Sequence, residues 1–105
     1  MPAYLIANVE IKDTERINDY LKATPAIIKK YGGKFLVRGG EFEIYEGNWN
    51  PKRLVLVEFE SMQKAKQFYN SPEYQAIIDI RQGSAYTDWV FVEGLSAEIS
   101  NTSRH

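Results

Sequence analysis

The stretch YGGKFLVRGG, residues 31–40, decides the fold, because it ends a helix and begins a strand within ten residues. Gly32 stands where a helix commonly terminates in the left-handed conformation. Lys34 to Arg38 then reads as a strand, and the pair Gly39-Gly40 interrupts it. Paired glycines in a strand pattern indicate a bulge or the close approach of a ligand to the backbone, and the bulge is favoured. We therefore expect positive φ, or a bulge, at Gly39 or Gly40.

The remaining elements follow from the alternation of two hydrophobic periods along the chain. Residues 3–11 alternate with the period of a strand, and apolar residues from Ile17 to Tyr31 recur at helical spacing. Asp13 is a suitable N-cap for this helix, and Pro25 predicts a kink inside it. The other predicted elements are a continuation of the second strand at 42–46, a third strand at 53–60, helices that begin after Ser61 and Ser71, and a last strand at 86–93.

This order, βαββαβ, predicts an α+β fold of the ferredoxin-like sandwich type. Right-handed crossovers place both helical segments on one face of a four-stranded antiparallel sheet. A chain of 105 residues suffices for one such domain, which we assign to residues 1–95. Residues 96–105 are polar and without periodicity, and we expect a disordered tail there.

The second face of the sheet is apolar although no helix is left to cover it. An exposed apolar patch of this extent usually marks an interface. A homodimer whose two sheets pack face to face would bury it. From the alternation, the uncovered face is expected to carry the pairs Tyr4/Ile6, Leu54/Leu56 and Trp89/Phe91.

Composition excludes several functions. Thirteen basic and fourteen acidic residues give a net charge of −1, which argues against a general nucleic-acid binder. No apolar run approaches the roughly 20 residues of a membrane span, and no signal peptide is visible, so no membrane partner is expected. Zero cysteines exclude disulfides and fit a cytoplasmic location.

The same inventory argues against metal sites and cofactors. The single histidine, His105, is the last residue, so a histidine base, a Ser-His-Asp triad and a proximal-histidine haem site are disfavoured. Without histidine and cysteine ligands no zinc or transition-metal site is expected. Neither glycine pair has the spacing of a phosphate-binding loop. We expect neither a metal nor a cofactor.

Several motifs together identify a family. In chain order they are Tyr31-Gly32-Gly33, Arg38-Gly39-Gly40, Glu46-Gly47 with Trp49, Pro51 and Arg53, then Phe59, Ser71-Pro72-Glu73-Tyr74-Gln75 and Arg81. They closely resemble domain of unknown function family 1330, over about residues 3–94. The resemblance implies a ferredoxin-like protomer and a homodimeric α/β barrel. It implies no activity, because relatives in the dimeric α/β barrel superfamily include cofactor-free oxygenases, haem-dependent enzymes, lactone isomerases and binding modules.

Two charged residues on the predicted strands are the first site candidates. Arg38 has apolar neighbours, so its guanidinium either pairs with Glu58 or Glu46 or binds an anionic ligand; the structural ion pair is favoured. Glu58 interrupts the apolar series Leu54 and Leu56. It is a weak candidate for a catalytic base, and the role of counter-ion to Arg38 is favoured.

Four further residues are candidates for the wall of a ligand pocket: Trp49, Tyr69, Tyr74 and Arg81. Each also has a structural interpretation, as a dimer contact for Trp49, as core tyrosines, and as a cation at a helix C-terminus for Arg81. Three functional classes follow. The protein binds a small organic anion around Arg38, or it is a cofactor-independent oxygenase- or isomerase-like enzyme, or it is an interaction module without a ligand.

Overall fold

The computed structural model describes residues 1–95. The tail predicted at 96–105, with His105, lies outside the described residues. The elements in chain order are β1 (Ala3–Ile11), α1 (Ile17–Lys30), β2 (Lys34–Arg38), β3 (Leu54–Phe59), α2 (Met62–Tyr69), α3 (Pro72–Gln75), α4 (Ile78–Ser84) and β4 (Ala85–Glu93).

Local chemistry explains where these elements begin and end. The Asp13 carboxylate accepts the backbone N–H of Arg16 at 2.9 Å in the turn that leads into α1. Ser61 and Ser71 cap α2 and α3 through their hydroxyls, as the sequence predicts. Gly32 follows α1 with φ +79°, the left-handed conformation expected of a residue that ends a helix.

The strands form one antiparallel sheet in the order β2-β3-β1-β4, which leaves β2 and β4 at the edges. This is the predicted ferredoxin-like α+β arrangement, with all helices on one face. The β2–β3 register shifts between Phe35 and Val37, so that Leu36 is the extra residue of a bulge. The bulge changes which face the following residues occupy. Phe35 shares the helix side with Val57, and Arg38 returns to that side opposite Val55.

The core lies between the helices and one face of the sheet, which we call the covered face. Its fully buried side chains include Phe59, Phe68 and Tyr74, joined by tilted aromatic contacts. Leu5, Ala7 and Val57 supply the strand side of this core. The other face, which we call the open face, carries their alternation partners: Tyr4, Ile6, Val37, Leu54, Leu56, Glu58, Val90 and Val92.

One part of the predicted open face is wrong. Trp89 and Phe91 pack on the covered face, where both contact Tyr69. Their neighbours Val90 and Val92 are the exposed residues instead, opposite Ile6 and Tyr4 of β1. The aromatic pair and the valine pair alternate along one apolar strand, and the sequence pattern alone does not order the two faces.

The predicted continuation of β2 at 42–46 is also wrong. Residues 40–50 form no helix or strand, and every one of them is exposed. We call residues 40–50 the arm. Among the described residues no hydrogen bond joins the arm to the rest of the chain, although the backbone is bonded on both sides of it. The strand-like pattern of the arm therefore lacks the neighbouring strand that pairing requires.

Candidate functional site

A small cavity lies between α1 and the covered face of the sheet, with a free volume of about 50 Å³. Its wall is predominantly apolar, with contributions from β1, α1, β2 and β3. Three arginines, Arg38, Arg53 and Arg81, also line it, and no aspartate or glutamate does. Because an unbalanced positive charge beside an apolar space favours an anion, this cavity is the candidate binding site.

Arg38 lies at the entrance of the cavity. The residue as a whole is exposed to solvent, and its side chain lines the cavity wall. Its Nη2 donates to the Leu21 carbonyl oxygen at 2.7 Å, and its guanidinium lies over the Phe35 ring at 4.9 Å from the centroid. These two contacts fix the plane of the group. Within residues 1–95 no carboxylate lies within ion-pair distance of Arg38, so its other N–H donors remain available.

The favoured ion pair between Arg38 and Glu58 is therefore not formed. Glu58 lies on the open face, where its Oε2 accepts the Tyr4 hydroxyl at 3.3 Å. The bulge at Leu36 returns Arg38 to the covered face, so the sheet itself separates the two side chains. Glu46, the other acid considered, is an exposed residue of the arm.

Arg53 also lines the cavity, and hydrogen bonds to residues of β1 hold its backbone in place. The Asn8 side-chain oxygen accepts the backbone N–H groups of Lys52 and Arg53, at 2.8 and 3.2 Å, and the Arg53 carbonyl accepts the Val9 N–H at 2.9 Å. Gly39 has φ +73°, and a Cβ there would collide with the Arg53 guanidinium. The expectation of positive φ in the glycine pair is confirmed at Gly39. The Arg53 guanidinium packs against this residue and leaves no room for a Cβ, which explains why a glycine stands here.

Arg81 forms the interior end of the site together with two tyrosines. Its Nε donates to the Tyr74 hydroxyl at 3.1 Å, and the hydroxyls of Tyr74 and Tyr20 are 2.6 Å apart. The guanidinium also lies 4.9 Å from the centroid of the Trp89 ring. Arg81 is only 6 % exposed, so this network places a charge inside the core with hydrogen-bond and aromatic partners in place of a carboxylate.

The two tyrosines are donors rather than bases. Burial raises the pKa of the Tyr20 phenol, and burial together with the adjacent Tyr20 raises the pKa of the Tyr74 phenol. Both therefore stay protonated at neutral pH. The two phenols have two hydroxyl hydrogens, and the hydrogen bond between the two hydroxyls uses one of them. The Trp89 indole Nε1 is buried without a hydrogen-bond partner among residues 1–95, and Trp89 is one of the residues that line the cavity.

The structure brings together three of the five ligand candidates from the sequence. Arg38 and Arg81 line the cavity, and Tyr74 lies directly behind it through its bond to Arg81. Tyr69 packs in the aromatic cluster against Trp89 and does not line the cavity. Trp49, on the arm, is 60 % exposed and also lies away from it.

The sequence analysis named neither Tyr20 nor Arg53 as a site candidate. Tyr20 was part of a regular apolar helix face, where nothing distinguishes a hydroxyl that meets another hydroxyl from an ordinary core phenol. The signal for Arg53 was present in the sequence. A glycine stands at position 39, where a side chain would leave no room for a neighbour, and an arginine stands immediately before the next strand, β3.

No cluster of potential metal ligands occurs among the described residues. In the same part of the chain, no helix is long and apolar enough to cross a membrane.

The fold and the site define the chain as a ferredoxin-like α+β protein with an arginine-lined cavity between helices and sheet. The family described as Domain of unknown function (DUF1330) matches residues 2–95, and the chain belongs to this family. The resemblance found in the motifs is thereby confirmed. No curated protein matches the sequence.

Solved structures share the fold at low sequence identity. A protein of unknown function from Rhodopseudomonas palustris is 16% identical, with 90% of this chain and 83% of that one aligned at a TM-score of 0.70. A dimeric ferredoxin-like protein of unknown function from Bacteroides fragilis is 17% identical, with coverages of 89% and 96% and a TM-score of 0.58. SnoaB, a cofactor-independent oxygenase from Streptomyces nogalater, is 6% identical, with coverages of 91% and 95% and a TM-score of 0.61.

Proposed function

We propose that the protein binds a small organic acid, with the carboxylate at Arg38 and Arg53 and the apolar part in the cavity beneath α1. The observation that carries this proposal is the composition of the cavity wall, which has three arginines, no acid and otherwise mostly apolar side chains. A guanidinium presents parallel N–H donors that match the two oxygens of a carboxylate.

The volume of the cavity limits the size of the ligand. A single water needs about 10–15 Å³ of the same measure of free volume, so about 50 Å³ holds on the order of three or four atoms of that size. The carboxylate itself lies at the entrance, where Arg38 is exposed. A short aliphatic chain therefore fits better than a ring or a long acyl chain, either of which would have to displace α1.

The alternative of an oxygenase- or isomerase-like enzyme is not favoured. Its weak catalytic candidate, Glu58, lies on the open face, across the sheet from the cavity. The tyrosines beside the cavity have raised pKa values and keep their protons. Neither arrangement supplies a base at the point where a ligand would lie.

We further propose that the protein is a homodimer that covers the open face. Ile6 lies between Leu56 and Val90 on adjacent strands, so the apolar residues form a continuous strip across three strands. Val90 and Val92 are each more than two-fifths exposed in the single chain. A second copy related by a twofold axis presents the same strip and buries both.

Thermal unfolding with a panel of carboxylates tests the ligand proposal. Butyrate should raise the melting temperature of the native protein by mass action, whereas benzoate and octanoate, which exceed the volume of the cavity, should raise it less. Butyramide has the same shape as butyrate without the charge and should have little effect. Arg38→Lys keeps a cation but loses the planar fork, and it should remove most of the shift.

The matched control is Lys66→Gln, which removes an exposed cation from α2, outside the cavity wall and away from the open face. This variant should retain the full response to butyrate. Equal shifts with butyrate and butyramide, or equal shifts in the native and Arg38→Lys proteins, would contradict carboxylate recognition by Arg38.

A further inference from the structure

The arm has the sequence pattern of a β-strand, but no described residue pairs with it. Phe42 and Ile44 alternate with Glu41 and Glu43, which is the period of a strand. Yet among the described residues nothing in the chain pairs with the backbone of residues 40–50. The backbone groups of the arm are exposed and free to pair, and an extended segment of this pattern is the kind that adds to the free edge of a sheet.

The side chains of the arm support the same conclusion. Phe42 and Ile44 are 40 % and 50 % exposed, while Tyr45 and Trp49 are exposed further still. Four large apolar side chains on an eleven-residue segment are costly to leave in water, because burial against a partner would remove their apolar surface from solvent. A segment whose only function was to connect two strands would not need them.

The same molecule contains a matching surface. Strand β4 is an edge strand of nine residues that pairs with β1 along its whole length, and no described residue pairs with its outer side. A long free edge is a template for another strand. The open face next to it carries Val90 and Val92, which are exposed. An unpaired strand and an unpaired edge on one chain can satisfy each other between two copies around a twofold axis.

The two ends of the arm also meet at the binding site. The arm leaves the sheet at Gly39, whose N–H donates to the Leu54 carbonyl at 2.8 Å, and returns at Lys52, which Asn8 holds. Between these points the Arg53 guanidinium packs on Gly39 at the cavity entrance. Whatever holds the arm in place therefore acts on the residue that we assign to carboxylate binding.

We propose that the arm of each protomer pairs with a second copy of this chain, along the outer edge of β4, and that this contact holds Arg53 in position at the cavity. The proposal rests on the homodimer and the carboxylate site proposed above. The site is then complete only in the dimer, and dimer formation and ligand binding strengthen each other by the same factor.

Hydrogen exchange at the backbone amides of residues 41–50 tests the arm contact. Among the described residues these amides have no acceptor, so protection that appears together with the dimer indicates pairing with the second chain. We expect protection of at least tenfold at concentrations where light scattering shows a dimer, and exchange at the rate of a free chain on dilution to monomer. Free-chain exchange in a demonstrated dimer would overturn the arm contact but leave the dimer standing. A monomer at every concentration would overturn both.

Paired variants test which side of the arm is buried. Phe42→Ser with Ile44→Ser should weaken the dimer at least tenfold. Glu41→Ser with Glu43→Ser changes the same segment on the other side of its alternation and should leave the dimer within about twofold of native. Equal effects of the two double variants would contradict the assignment of sides and with it the strand-like contact.

The link to the site is tested by measuring the dimer dissociation constant with and without saturating butyrate. We expect at least threefold tighter association with butyrate and no change with butyramide. If butyrate stabilises the native protein in thermal unfolding yet leaves the dissociation constant unchanged, the link is wrong while the binding site stands. If butyrate has no effect in either experiment, the carboxylate site itself fails.

Discussion

The two faces of the sheet are built from the same alternating strands, but they differ in what completes them. On the covered face, the helices bury Leu5, Ala7 and Val57 and enclose a cavity with charged ends. On the open face, Ile6, Leu56 and their neighbours have no cover within the described chain. The helices of the same chain cover one face, whereas we propose that a second copy covers the other. Substitutions on the covered face should therefore change folding stability and ligand binding, and substitutions on the open face should change dimer association.

The largest effect is expected from a charge on the open face. Leu56→Asp places a carboxylate at the centre of the apolar strip, and in a symmetric dimer it does so twice. We expect the dimer dissociation constant to rise by at least about a hundredfold, equivalent to about 2.7 kcal/mol. Analytical ultracentrifugation measures this directly.

Gln67→Asp is the control for this experiment, since Gln67 is an exposed residue of α2 on the helix side of the molecule. It adds the same charge without touching the open face and should leave association unchanged. Equal association of native protein and Leu56→Asp would show that the open face is not the interface.

On the covered side, the largest effect on folding is expected at Gly39. Valine there must adopt φ near +73° and displace the Arg53 guanidinium, so the free energy of unfolding should fall by about 1–3 kcal/mol. Gly40→Val is the neighbouring control, because no atom lies within 4 Å of a Cβ at that position and its φ is not positive. Denaturant unfolding should separate the two variants. A Gly39→Val protein as stable as Gly40→Val would contradict the packing of Arg53 on this glycine.

A smaller effect is expected in the interior network. The Tyr74 hydroxyl accepts the Arg81 Nε–H and is also hydrogen-bonded to the Tyr20 hydroxyl, so Tyr74 joins the other two groups of the network. Tyr74→Phe leaves the buried Arg81 Nε without its acceptor and should cost about 2 kcal/mol, against about 1 kcal/mol for Tyr20→Phe. Thermal or denaturant unfolding of both variants checks the order, and the reverse order would show that Arg81 does not depend on Tyr74.

The smallest effect concerns the exposed contact between α1 and α3. The Lys30 ammonium and the Tyr31 hydroxyl hold the Glu73 carboxylate and lower its pKa from 4.5 to about 2. A carboxylate with a lowered pKa stabilises the folded state above its ordinary pKa, and this contribution disappears as the pH falls from about 4.5 through about 2. Glu73→Gln should therefore be slightly less stable than native at pH 7 and equal to it near pH 2. A difference that persists unchanged at pH 2 would contradict this origin.

Much of the architecture was predictable because it depends on local signals. The caps at Ser61 and Ser71, the helix end at Gly32 and the strand period of residues 3–11 each act within a few residues, and together they specify βαββαβ. The assignment of Leu56 to the open face also follows from alternation. When a strand is apolar on both sides, alternation cannot show which side faces the helices. For this reason Trp89 and Phe91 were assigned to the open face, although they lie on the covered face.

The site was less predictable, because it depends on contacts between distant parts of the chain. The bulge at Leu36 changes the face of Arg38 and separates it from Glu58, and nothing in the sequence at Leu36 announces it. Tyr20 and Tyr74 are 54 residues apart and meet through the packing of α1 on α3. The arm looked like a strand because it has the pattern of one, and the pattern does not say in which chain its partner lies.

A crystal structure with butyrate tests most directly whether the cavity on the covered face is a carboxylate site. We expect the carboxylate within about 3 Å of the guanidinium nitrogens of Arg38 and Arg53, with the three-carbon chain between α1 and β1. A butyrate bound elsewhere, or an empty cavity at a concentration that raises the melting temperature, would contradict the account.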